Sequence, residues 1–189
     1  NDRPMRLTTR FHRFALVAAI TLFGVTACGD DPGSTTSRDS LTVIRIGAGG
    51  NDVFEGGSGN DELDGMSGDD ALAGGDGDDV LIGRSGHDAI DGGDGADRLE
   101  GGRGDDLLSG GAGDDRIADA HGDNVAEGGE GNDVIRLEGS RGLARGGAGN
   151  DSLVAFSGDH LLMGDEGEDT LVATSGAVQL DGGSGDDAL

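Results

Sequence analysis

In steps of nine residues the chain returns to the same side chain: an aspartate at 52, 61, 70, 79, 88, 97, 106 and 115, then at 133, 151, 169 and 187. An ionised carboxylate offers acceptor oxygens and no donor, so a column of them is suited to holding positive charge. Of 189 residues, 41 are Gly and 38 are acidic; the 13 basic residues are all Arg, and the net charge is −25. Such a chain needs positive counterions. Nucleic acid is a poor partner for it, since phosphate binding rests on clustered Arg and Lys.

Catalytic chemistry finds little footing. The glycine-rich segments lack the GK[ST] ending of a phosphate-binding loop, and the chain contains no Lys. His12 lies in an apolar leader, while His87, His121 and His160 are scattered over different repeat positions without a partner at zinc-ligand spacing. Ser85, His87 and Asp88 are neighbours in sequence but fall in loop positions, where they read as substituted repeat residues. No enzyme is the expectation.

The elements that position the aspartates are nonapeptides. From Gly47 the chain reads GAGGNDVFE, GGSGNDELD, GMSGDDALA, GGDGDDVLI and onward to Leu189 without insertion or deletion, in fifteen full blocks and one of eight residues. Aspartate is sixth. The eighth position is Phe54, Leu63, Leu72, Leu81, Ile90, Leu99, Leu108, Ile117, Ala126, Ile135, Ala144, Leu153, Leu162, Leu171, Leu180 and Leu189, a column that predicts the core. Glycine loses more backbone freedom on ordering than any other residue, and clustered carboxylates repel. One apolar side chain per nine residues does not offset ordering costs of about 1 to 2 kcal/mol per residue.

With six glycine-rich positions followed by three apolar, strand-forming ones, residues 47–189 resemble the RTX family of haemolysin-type calcium-binding repeats. That resemblance implies an all-β, right-handed parallel β-roll of 18-residue turns, about eight in number, with calcium between the loops of neighbouring turns. The metal ligands it implies are Asp52, Asp61, Asp70, Asp79, Asp88, Asp97, Asp106, Asp115, Asp133, Asp151, Asp169 and Asp187. Calcium takes six to eight oxygens, which carboxylates and glycine carbonyls can provide. Metal that binds only the folded chain then supplies the missing stability.

Two blocks make a turn, so alternate blocks line opposite edges of the roll. One edge carries Asp61, Asp79, Asp97, Asp115, Asp133, Asp151, Asp169 and Asp187 without a break. The other runs Asp52, Asp70, Asp88, Asp106 and then Asn124, Gly142, His160 and Val178. If a site needs a carboxylate from each flanking loop, seven gaps qualify on the first edge and three on the second, about ten ions in all. The gap from Asp106 to Asn124 has a carboxylate from one flanking loop and an amide from the other. Arg136, Arg141 and Arg145 fall in the altered half, where they could replace metal charge, face a partner, or simply mark repeat decay.

Residues 5–27 read as a leader, with Arg6, Arg10 and Arg13 ahead of an apolar run from Phe14 to Ala27. Fourteen residues are short of the roughly 20 that span a bilayer. Val25, Thr26, Ala27 and Cys28 resemble the lipobox of bacterial lipoproteins, which implies a lipidated Cys28 at a mature N-terminus, exported and anchored to the outer membrane or cell surface. Cys28 is the sole cysteine and cannot form an internal disulfide. Residues 28–46 comprise that cysteine, a polar tether GDDPGSTTSRDS, and LTVIRI, whose β-branched residues predict a strand covering the first turn. The chain stops within a block and without a polar cap. That leaves a rival reading open, an accessory repeat module of a larger secreted hydrolase, protease or adhesin. The expected partners are calcium and, through the lipid alone, a membrane; the identity of any protein or surface partner is not read from the sequence.

Overall fold

A computed structural model describes residues 42–189. The leader, Cys28 and the polar tether lie outside the described residues.

Most blocks end in a triplet with Leu or Ile at its centre, a pattern that suits a half-buried strand, and most begin in glycines that allow the chain to turn. Among the described residues this produces sixteen strands and no helix. They form two eight-stranded sheets: one runs from Ile44–Ile46 through Glu62–Asp64 to Thr170–Ala173, the other from Val53–Ser58 through Ala71–Asp76 to Gln179–Ser184. Successive strands alternate between the sheets. Every pairing is parallel and shifted by one turn, so Leu63 stands beside Leu81 and Leu81 beside Leu99, while Phe54 stands beside Leu72 and Leu72 beside Ile90. The fold is an all-β parallel solenoid of about eight turns with eighteen residues in each.

The eighth-position column is the core. Leu63, Leu81, Leu99, Leu108, Ile135, Leu153 and Leu162 are wholly buried, and the shorter Ala126 and Ala144 continue the stack. At the ends the burial fails for a simple reason: Phe54 and Leu180 lie in outermost strands with a neighbour on one side only and are partly buried, and Leu189 is 69% exposed. The strand expected within LTVIRI is present as Ile44–Ile46 and pairs with Glu62–Asp64. It extends the sheet without capping the core, because it sets Arg45 beside Leu63 and leaves Ile44 and Ile46 exposed.

Tight stacking dictates the glycines. Gly57 and Gly59, second and fourth in their block, have φ of 116° and 112°, a region that side chains with a Cβ enter only at a cost. A Cβ on Gly75 would also collide with the Gly57 carbonyl one turn below. At the second position of three blocks a side chain takes up this conformation all the same, with Met66, Arg84 and Asp165 at φ of 71° to 75°.

Candidate metal centre

Each sixth-position carboxylate is divided between two tasks. From Asp61 onward its Oδ1 accepts the backbone N–H of the residue one turn earlier, and these bonds form a ladder along each edge. On the unbroken edge Asp61 N–H donates to Asp79 at 2.7 Å, Asp79 to Asp97 at 2.8 Å, Asp97 to Asp115, Asp115 to Asp133, Asp133 to Asp151 and Asp151 to Asp169, ending with Asp169 to Asp187 at 3.0 Å. On the other edge Asp52 donates to Asp70, Asp70 to Asp88 and Asp88 to Asp106, each at 2.8 Å.

The second oxygen has nothing. Oδ2 of Asp52, Asp61, Asp70, Asp79, Asp88, Asp97, Asp106, Asp115, Asp133, Asp151 and Asp169 is buried without a hydrogen-bond partner. These are the expected ligands apart from Asp187, whose Oδ1 closes the ladder while the residue itself stays half-buried in the last turn. A buried polar atom without a partner costs about 1 to 3 kcal/mol, and a charged one more. Such a row of unmet acceptors calls for a cation.

The glycine at the first position shows where each free oxygen points. A Cβ on Gly56 would strike both Asp61 Oδ2 and the carbonyl oxygen of Gly74, the corresponding glycine of the next turn; Gly92 stands in the same relation to Asp97 and Gly110, and Gly128 to Asp133 and Gly146. A carboxylate oxygen and a main-chain carbonyl therefore converge from adjacent turns on a space that only glycine leaves open. Those are hard donors of the kind calcium takes. Among the described residues no three His, Cys, Asp or Glu side chains converge, so main-chain oxygens would have to complete the coordination.

Electrostatics agree. Desolvation pushes the carboxyls of Asp88, Asp97 and Asp151 up to about 6 and that of Asp115 up to about 7, with carboxylates one turn away adding to the rise. Asp70, Asp79, Asp106 and Asp133 move in the same direction, again mainly through burial. The row resists being charged until positive charge arrives.

Beyond residue 119 the second edge is built from other material. At the sixth position, Gly142 has no side chain and His160 is 3% exposed with an unpartnered Nδ1. At the first position Leu137 and Ala155 replace glycine and are 1% and 0% exposed, within the core cluster. A Cβ on Gly142 would meet Leu137 Cδ1 at 2.8 Å and His160 Nδ1 at 2.9 Å, so an apolar plug fills this stretch of the edge. The arginines are elsewhere. Arg136 is exposed, Arg141 reaches Asp123 at 3.6 Å with both side chains largely in solvent, and Arg145 Nε donates to Asp165 Oδ2 at 2.9 Å. Leucine and histidine, not arginine, take the interior of this half.

Sequence reading missed a second ladder. Fifth-position side chains run along the outside of the loops and accept N–H bonds from the following turn: Asn51 from Asp69 at 3.0 Å, Asp69 from His87 at 2.9 Å, and His87 Nδ1 from Asp105 at 2.9 Å. His87 is thereby a member of this ladder. The clue was a fifth column rich in Asn and Asp, masked by the general excess of acid.

A family model described as the RTX calcium-binding nonapeptide repeat matches the chain at residues 46–81, 64–99, 91–118, 121–141, 143–171 and 163–189. No curated protein matches it.

Proposed function

The chain belongs to the RTX calcium-binding nonapeptide repeat family, and on that premise we propose that it is a calcium-binding structural module that folds when it meets calcium outside the cytoplasm, carried there by its leader and held at the membrane by a lipid on Cys28. The observation that carries the calcium reading is the row of buried, partnerless Asp Oδ2 atoms, each aimed at the first-position glycine of its own block. Asp52, Asp61, Asp70, Asp79, Asp88, Asp97, Asp106, Asp115, Asp133, Asp151, Asp169 and Asp187 would hold about ten ions with main-chain carbonyls, and the ions would neutralise the buried charge. At sub-micromolar cytoplasmic calcium the carboxylates would repel one another and leave the chain extended for export. The leader and Cys28 rest on their sequence pattern alone.

Far-ultraviolet circular dichroism of the full chain tests the reading. In excess chelator the spectrum is expected to be that of an unfolded chain, and millimolar calcium should convert it to a β spectrum. A β spectrum in chelator that calcium does not alter would overturn it.

A further inference from the structure

The block that begins the altered half, DAHGDNVAE at 119–127, departs from the pattern at both positions that bear on a metal gap: Asp119 stands where glycine belongs, and Asn124 stands where aspartate belongs. The two changes fall on one gap. Asn124 keeps the ladder, since its Oδ1 accepts the Asp106 N–H at 2.9 Å, but the atom that would correspond to the free carboxylate oxygen is Nδ2, which donates to the His121 carbonyl at 3.2 Å. Asn124 thus offers no carboxylate to the gap that Asp106 faces.

Asp119 does. It is 3% exposed, its Oδ2 is buried without a partner, and Asp106, also 3% exposed, has an equally partnerless Oδ2. A Cβ on Gly101 would lie 2.6 Å from Asp106 Oδ2 and would collide with Asp119 Oδ2. In blocks such as those at 56 and 92, the same point is approached by one Asp Oδ2 and by the carbonyl of the next turn's first residue. Here the side chain of that first residue has entered the space itself. Two acceptor oxygens turned toward each other in a buried gap repel unless something positive lies between them.

We infer that Asp106 and Asp119 form one further calcium site, in which a first-position aspartate supplies the carboxylate that Asn124 lacks. The inference rests on the calcium reading above and extends it to a gap that the sixth-position pattern leaves out. It also fixes where metal stops on this edge. The next gap would open on Asn124, and there Leu137 enters the core in place of a first-position glycine.

Calcium bound per chain, measured by equilibrium dialysis of the full chain against calcium chloride with elemental analysis, decides the matter. Asp119→Gly installs the residue that its neighbouring blocks carry, and it should bind one ion fewer than the unaltered chain. Asp119→Ala, which truncates the side chain and leaves the backbone restrained, should do the same if glycine loosens the turn. The double variant Asp119→Gly with Asn124→Asp recreates the pairing of Asp88 with Asp106 and should regain the ion. Either single variant, folded and holding the full count, would overturn the site while leaving the calcium reading intact. Failure of the unaltered chain to bind any calcium would overturn both.

Discussion

Asn124 Oδ1 accepts the backbone N–H of Asp106 at 2.9 Å, the same bond that Asp106 Oδ1 makes to the N–H of Asp88 at 2.8 Å. An amide therefore serves the ladder as well as a carboxylate, and the unmet Oδ2 of the aspartates is surplus to it. The ladder and the proposed metal site use different atoms of one side chain.

Substitution can separate the two. Asp97→Asn should keep the bond from Asp79 N–H and lose the free oxygen, whereas Asp97→Ala loses both. Both variants are expected to bind fewer ions. In saturating calcium the alanine variant should melt a further few degrees lower, because an amide bond to a side chain contributes about 1 kcal/mol. Equal melting temperatures for the two variants would show that the ladder adds nothing.

A first-position glycine is predicted to matter for metal binding, and the sixth-position Gly142 of the plugged stretch is not. Gly92→Ala would drive a Cβ into Asp97 Oδ2 and the Gly110 carbonyl, atoms with little freedom to move, and should cost at least one ion and raise the calcium midpoint severalfold. Gly142→Ala meets instead the tip of Leu137 at 2.8 Å, a flexible side chain, and should leave the ion count unchanged. Parallel calcium titrations followed by circular dichroism make the comparison. An unchanged midpoint for Gly92→Ala would contradict the convergence of donors described above.

These contrasts mark what the sequence disclosed. A nine-residue period with Leu or Ile eighth marks a core column, because a strand triplet buries alternate side chains, while the eighteen-residue step that sets Leu81 beside Leu99 came from the resemblance to the RTX repeats. The free oxygens could also be anticipated at the sixth column. Asp119 could not, since its importance comes from eighteen-residue stacking that sets it against Asp106, and in the linear pattern it is one more acid in an acidic chain. Leu137 escaped for a similar reason: it stands at a first position, where most blocks carry glycine, and the absence of a side chain at Gly142 gives it room to turn inward.

Acidity should act in opposite directions with and without calcium. Asp88, Asp97 and Asp151, raised to about 6, and Asp115, raised to about 7, bind protons more tightly in the roll than in the unfolded chain, where an aspartate titrates near 3.9. The calcium-free roll is therefore most favoured below pH about 4 and loses stability as pH rises through about 6 to 7. In chelator, β structure should grow on acidification from pH 7.5 to 5. With calcium present, protons compete for the same oxygens, so the calcium midpoint should rise over that interval. A calcium midpoint independent of pH would show that these carboxylates are not the ligands.

The anchor is separable from the roll. Cys28→Ser should release the protein from membranes when expressed in a bacterium that processes lipoproteins, because a body this acidic has no other affinity for an anionic surface and the lipid chains carry the binding. Fractionation with membranes after a high-salt wash would show that Cys28 is not the attachment point. Calcium-dependent folding should be the same in both forms.

The plugged half of the second edge should respond to substitution as an ordinary core does. Leu137 is 1% exposed within the apolar cluster, and Leu137→Ala removes buried methyl groups at a cost of about 2 to 5 kcal/mol. That loss should appear as a lower melting temperature at saturating calcium with no ion lost. His160→Ala, in the same stretch, should likewise leave the count intact. Asp133→Ala acts on the opposite edge, where it removes both the acceptor for the Asp115 N–H and a partnerless Oδ2, so its defect should include lost calcium and a higher calcium midpoint. Melting curves and ion counts on the three variants distinguish apolar filling from metal binding. If Leu137→Ala or His160→Ala were to lose calcium as Asp133→Ala does, the second edge would have to hold metal beyond Asp119, and the plug would be no substitute for it.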